Sequence, residues 1–475
     1  MRLLLWFVLL CSGLLPLGYL AFLALSHPML PSDLWQAFGL STALGLWSAL
    51  LATLVGGGIG FVLAKSGWRG SGIVISLFAI NLLLPPDILT FGWKSLGFDG
   101  FWGAVAVLGS IYAVIPLILT FFYTKITPSL EEMGLLFCNK WCTFWHITLP
   151  LTAPALVLGF LLVWMLGLGD YSVCNELHVR SIAVVIFTQF GAFYDFSGAA
   201  WLSLPLLLTA LVMALLFQKL LWRLTTSSLA STSLHYPLKG AWLISLIGVF
   251  CCVAPPLLGI CAKLRLSTLF EGTLLTLQAL LPTLGVGLIM SLLLTLLGFI
   301  AAMLLHRQRS RGVEEALFLL FLTPSIVLGV ALILWYNRFV PWLYSTIWIL
   351  VIGYIGKYLL ISTKITQNAV QSIPPSLEEA AALCGATPWQ RMVWIILPLA
   401  KKGLVASFVL SFLFVLRESD LAMLLHPATF SPISVQIATL GANADPSLVA
   451  AICFWTILFV AFFIALVGRM ARGTL

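Results

Sequence analysis

The chain has 475 residues, of which 61% are hydrophobic and 8% charged, with a formal net charge of +8. Soluble domains carry about 25% charge, so a water-soluble enzyme, a disordered chain and a nucleic-acid binder are excluded at the outset. What remains is a polytopic membrane protein, in which basic residues first report the loops kept in the cytoplasm. Five of the nine cysteines, Cys11, Cys251, Cys252, Cys261 and Cys453, lie in or beside apolar runs. A free thiol there behaves as a small hydrophobe and builds no disulfide framework.

Apolar runs long enough to cross a hydrocarbon core of about 30 Å predict twelve spans. In chain order they fall near 3–25, 38–64, 72–92, 102–124, 151–170 and 199–222, then near 241–262, 281–305, 314–336, 345–366, 402–421 and 447–468. The first run is too long for a signal-peptide core and is read as a retained helix. On this layout most basic residues share one side, among them Lys65, Arg69, Lys125, Arg309 and Arg391. That side is cytoplasmic, which puts both termini inside.

The two sets of six repeat each other. Ser129-Leu130-Glu131-Glu132 recurs as Ser376-Leu377-Glu378-Glu379, Ile147-Thr148-Leu149-Pro150 as Ile395-Ile396-Leu397-Pro398, and Thr53-Leu54-Val55-Gly56 as Thr295-Leu296-Leu297-Gly298. Near-constant offsets mark a duplicated unit. With six spans per copy the repeats are parallel, not inverted. Residues 1–224 form the first repeat and 241–475 the second, joined by a Ser/Thr-rich linker at 225–240.

The cytoplasmic loop at 374–398 opens on Pro374-Pro375, which end the preceding helix. Ser376 and Glu379 have capping-box spacing, two acids favour a helix N-terminus, three alanines give a thin face and Gly385 supplies a stop. These features predict a short surface helix able to serve as a docking peg, or an ordinary capped connector. Glu379-Ala380-Ala381, three residues to Gly385, nine to Ile395 and then Leu397-Pro398 resemble the EAA loop of bacterial ABC-importer permeases. The first-repeat loop at 125–150 resembles it weakly: Glu131 and Glu132 are present, but Met133, Gly134 and Cys138 replace the alanines and glycine. Fused two-copy chains of this kind resemble the ferric-iron and thiamine importers.

That resemblance implies an all-α fold of the type I ABC-importer permease class, in a bacterial inner membrane. It further implies two ATP-binding cassette subunits on the cytoplasmic side, docked through Glu378, Glu379, Ala380, Ala381 and Gly385 and through Glu131 and Glu132. A periplasmic or extracellular solute-binding protein would deliver the cargo. No phosphate-binding G-x4-G-K-[ST] motif occurs in the chain, so no catalytic residue and no resident cofactor is expected, and ATP would sit on the partner subunits.

Ionisable groups at membrane depth are candidates for the substrate path. Asp170 and Glu418 each lie twenty residues after a loop proline, Pro150 and Pro398. They are read either as a cation-attracting gate near the outer mouth or as interfacial charges. Asp87 follows Pro85-Pro86, with Ser325 expected in its place in the second repeat, and the prolines are read as a kink. Lys357 is read as reaching for the headgroups. Cys138, Cys142 and His146 share helical spacing, but drift of the loop explains them better than a metal. The alternative class is a secondary transporter of the major facilitator type, which would leave the EAA spacing unexplained.

Overall fold

The computed structural model describes residues 2–26, 33–68, 70–123, 128–225, 240–308 and 311–473. Arg69, Lys125, Arg309 and residues 226–239 of the expected linker lie outside them. The regular structure is helical from Arg2 to Gly473. Among the described residues seven helices are long and apolar enough to cross a membrane, or eleven if each of four bent pairs counts as one span. These eleven fall on the first eleven expected spans, and the twelfth, 447–468, falls on the helix Pro446–Gly473.

Spatial division does not follow the sequence repeats. One compact unit comprises Met1–Met29, Leu277–Gln436 and Leu466–Leu475; the other comprises Leu30–Thr276 and Ile437–Ala465. Each unit therefore draws helices from both sequence halves.

In the first of these units the N-terminal span packs on helix Ser325–Phe339. It is held by edge-on contacts from Tyr19 to Trp335 and Phe339. The span widens into a π turn at Leu10–Leu14, and Tyr336 donates its hydroxyl to the Cys11 carbonyl there at 3.0 Å. Two residues beyond that π turn stands Pro16. The same arrangement recurs at Phe144–Thr148 before Pro150 and at Met392–Ile396 before Pro398. A proline ring inside a helix collides with the carbonyl four residues back, and a wider turn relieves the collision. The repeated Leu-Pro pair thus dictates a repeated π turn at the foot of spans five and eleven.

The breaks at Pro85 and Pro324 are far more than kinks. Ser71–Leu83 meets Pro86–Ser95 at 99°, and Gly312–Leu322 meets Ser325–Phe339 at 105°. Both outgoing half-helices start from an extended proline, Pro85 with φ −52° and ψ 134° and Pro324 with φ −53° and ψ 140°. That match aligns Pro85 with Pro324, so Ile326, not Ser325, takes the place of Asp87. In the second unit, the turn before Pro85 is tied to the seventh span by Asn81, whose amide donates to the Cys252 carbonyl at 2.8 Å.

Candidate functional site

The second loop helix, Pro375–Leu383, starts two residues earlier than the Ser-x-x-Glu spacing suggested. Proline lacks an N–H and has φ preset for the first helical position, so Pro375 takes it and Pro374 caps the helix from an extended conformation. Ser376 is drawn inside the helix and no side-chain cap forms. A complete capping box stands instead at Thr387 and Gln390, opening the next short helix.

Gly385 ends the loop helix as expected. Its φ of 82° carries the chain through the left-handed region. Its N–H donates to Ala382 and that of Ala386 to Ala381, the paired bonds that close a helix C-terminus. None of the nine helix residues is buried. Glu378 and Glu379 line a shallow pocket of about 260 Å³ with His306, Pro375, Ala382 and Arg391. This pocket and exposed helix bring Glu378, Glu379, Ala380, Ala381 and Gly385 into one accessible segment.

The first loop helix, Pro128–Phe137, is built differently. Glu131 is fully buried, and its Oε2 meets Lys65 Nζ at 2.5 Å, the ammonium being equally buried. Thr148 donates its hydroxyl to Oε1 at 2.7 Å. A Cβ at Gly134 would fall 2.4 Å from Ile147 Cδ1, so glycine lets this helix close on the π turn at the foot of span five. Only Glu132 of the acidic pair stays exposed, beside Leu130, Met133, Leu136 and Phe137. The Lys65 partnership escaped the sequence reading, because 66 residues separate the pair and Lys65 reads as an ordinary cytoplasmic-end charge. Cys142 Sγ lies 2.7 Å from Cys138 Sγ and 3.7 Å from His146 Nδ1. Among the described residues no group of three or more His, Cys, Asp or Glu side chains is placed to hold a metal ion.

Asp170 and Glu418 occupy equivalent local settings within their own units. The Val173 N–H donates to Asp170 Oδ1 at 2.9 Å, and the Leu421 N–H donates to Glu418 Oε1 at 3.1 Å. Each carboxylate caps the short helix that follows its span. Tyr358 donates its hydroxyl to Glu418 as well. Asp87 is buried in the first turn after the 99° bend, where the exposed N–H groups of a helix start favour an anion, and Ser172 donates to it. Nearby, Lys94 donates to the Glu176 carbonyl oxygen at 2.8 Å. Burial pushes the Glu176 carboxyl well above the usual range, the Asp87 charge adds to that, and Lys94 opposes it.

Lys357 does not reach for the headgroups. Its side chain is buried and its ammonium donates to the Thr323 carbonyl at 2.6 Å, at the 105° bend. A cation there meets the negative end of the incoming half-helix and satisfies a carbonyl that the bend released.

Residues 294–471, which include the exposed loop helix and its pocket, match the family described as "Binding-protein-dependent transport system inner membrane component". The Fe(3+)-transport system permease protein FbpB 2 of Haemophilus influenzae is 22% identical over 404 residues, covering 79% of this chain and 78% of that one. Together these matches support a binding-protein-dependent ABC-importer permease. A putative ferric transport system permease protein, FbpB 1 of the same organism, is 25% identical over 76% of this permease and 60% of its own length. The maltose/maltodextrin permease protein MalG of Vibrio parahaemolyticus is 34% identical over 147 residues, 30% of this permease and 49% of that protein. Nothing favours the major facilitator alternative, and the permease is a multi-pass inner-membrane component.

Proposed function

We propose that the permease forms the translocation path for ferric iron or another small hydrophilic, thiamine-like solute. Two separate ATP-binding cassette subunits drive it from the cytoplasmic side, where both termini lie, and a periplasmic or extracellular solute-binding protein supplies the cargo. The observation that carries this reading is the loop helix Pro375–Leu383, stopped at Gly385, with none of its residues buried, inside the matched family region. A helix ordered without burying any of its own residues needs a partner to account for its retention. Coupling passes through Glu378, Glu379, Ala380, Ala381 and Gly385 on that loop and through the first loop that holds Glu131 and Glu132. Asp170, Glu418 and Asp87 face the cargo as it passes, and the ferric names of the relatives support a cationic one. This chain hydrolyses no ATP itself.

The test is uptake of labelled ferric iron by vesicles that hold the permease with its ATPase and binding protein. ATP-dependent uptake that survives a proton ionophore supports the proposal. Uptake driven by a proton gradient without ATP contradicts it.

A further inference from the structure

We propose that Cys138 and Cys142 form an oxidation site on the first loop, a thiol pair that a peroxide converts into a disulfide, with Cys138 the attacking sulfur. A helix cap brings the two together. At the end of helix Pro128–Phe137 the Cys138 N–H donates to the Gly134 carbonyl at 2.8 Å. Asn139 then extends the backbone, with φ −76° and ψ 169°, and its Oδ1 accepts the Cys142 N–H at 2.9 Å. Such a cap holds the third residue of the new helix close to the capping residue, and the residue before the cap comes with it. Cys142 is that third residue and Cys138 is the one before the cap. The Cys142 thiol accordingly donates to Cys138 Sγ at 2.7 Å, a separation approaching the ~2.05 Å of a disulfide bond.

Cys138 is exposed and Cys142 half-buried, so a small peroxide meets Cys138 first. The Cys138 sulfur bonds to one peroxide oxygen as the O–O bond breaks. The departing hydroxide leaves as water with the Cys138 proton, and Cys138 becomes a sulfenic acid. Cys142, already in contact, then attacks the oxidised sulfur. The S–S bond forms, the S–O bond breaks, and the hydroxyl leaves as a second water with the Cys142 proton. Two thiols are oxidised and one peroxide is reduced. A partner thiol held in place makes the second step intramolecular, which favours it over further oxidation of Cys138. In a reducing cytoplasm the pair rests as thiols and the disulfide is transient. Only that choice of compartment rests on the orientation proposed above.

The test treats the full-length permease in detergent with hydrogen peroxide and follows each cysteine by alkylation and mass spectrometry. The peptides carrying Cys138 and Cys142 become joined at least about tenfold faster than the exposed thiol Cys384 is lost, and a dithiol reductant restores both. In Cys142→Ser, dimedone, which traps sulfenic acids, labels Cys138. In Cys138→Ser it labels Cys142 to about one-tenth of that extent or less. Loss of the two thiols no faster than loss of Cys384 overturns the inference. So does a disulfide from either one to any other cysteine, or a sulfinic acid at Cys138 with Cys142 still open to alkylation. Equal dimedone labelling in the two single variants overturns Cys138 as the attacking sulfur. The measurement needs neither ATPase nor binding protein. A permease that forms the disulfide but shows no ATP-dependent uptake therefore overturns the proposed function and leaves the oxidation site standing.

Discussion

A carboxylate at the end of a membrane span must find donors, and Asp170 and Glu418 find the same one, the N–H three residues on. This local role separates cleanly from a role in the path. Asp170→Asn keeps an acceptor, so the permease accumulates normally. Asp170→Ala loses the cap, and thermal unfolding in detergent shows a deficit of about 1 kcal/mol. Transport by Asp170→Asn at the wild-type rate would leave capping as the residue's role and remove it from the path. The twenty-residue spacing from each loop proline was legible in the sequence, because both copies keep it. The cap was not, since it depends on how the chain turns after the span. The direction of Lys357 and the burial of Glu131 were illegible for a related reason. Neither charge can be assigned a direction until its distant partner, Thr323 or Lys65, is placed.

Prolines organise the elements. Those two residues past a π turn were visible in the repeated Leu-Pro pairs, yet spacing alone does not distinguish a widened turn from a kink. At Pro85 and Pro324 the extended residue is followed by a bend near a right angle, held in place by contacts such as Asn81 to Cys252 that no local pattern encodes. The loop helix was read correctly as short and stopped at Gly385. Its start was misread, because Pro375 at the first position outcompetes Ser376 as the opening residue. Gly385→Ala forces an alanine to φ near 82° and costs about 1 kcal/mol. Hydrogen exchange across residues 375–385 then quickens by about fivefold, while the spans exchange as before. Unchanged exchange in the loop would show that the turn does not set its stability.

For the whole molecule, order along the chain and grouping in space part company. The first span joins helices of the second repeat, while residues 437–465 join the first. The places of the first eleven spans could be read from apolar runs. This exchange could not, because the flanking runs are equally apolar whichever partner they choose. Expressed separately, halves 1–240 and 241–475 should each be degraded, and co-expression should restore both; a half that accumulates alone as a folded species would contradict the exchange. At this scale stands the proposal of a permease powered through two unequal loops. It is tested most directly by ATPase activity of the assembly, stimulated by loaded binding protein, in Glu379→Ala and Glu132→Ala variants at matched ATPase content. A clearly larger loss is expected for Glu379→Ala, and equal losses in the two would contradict unequal loops.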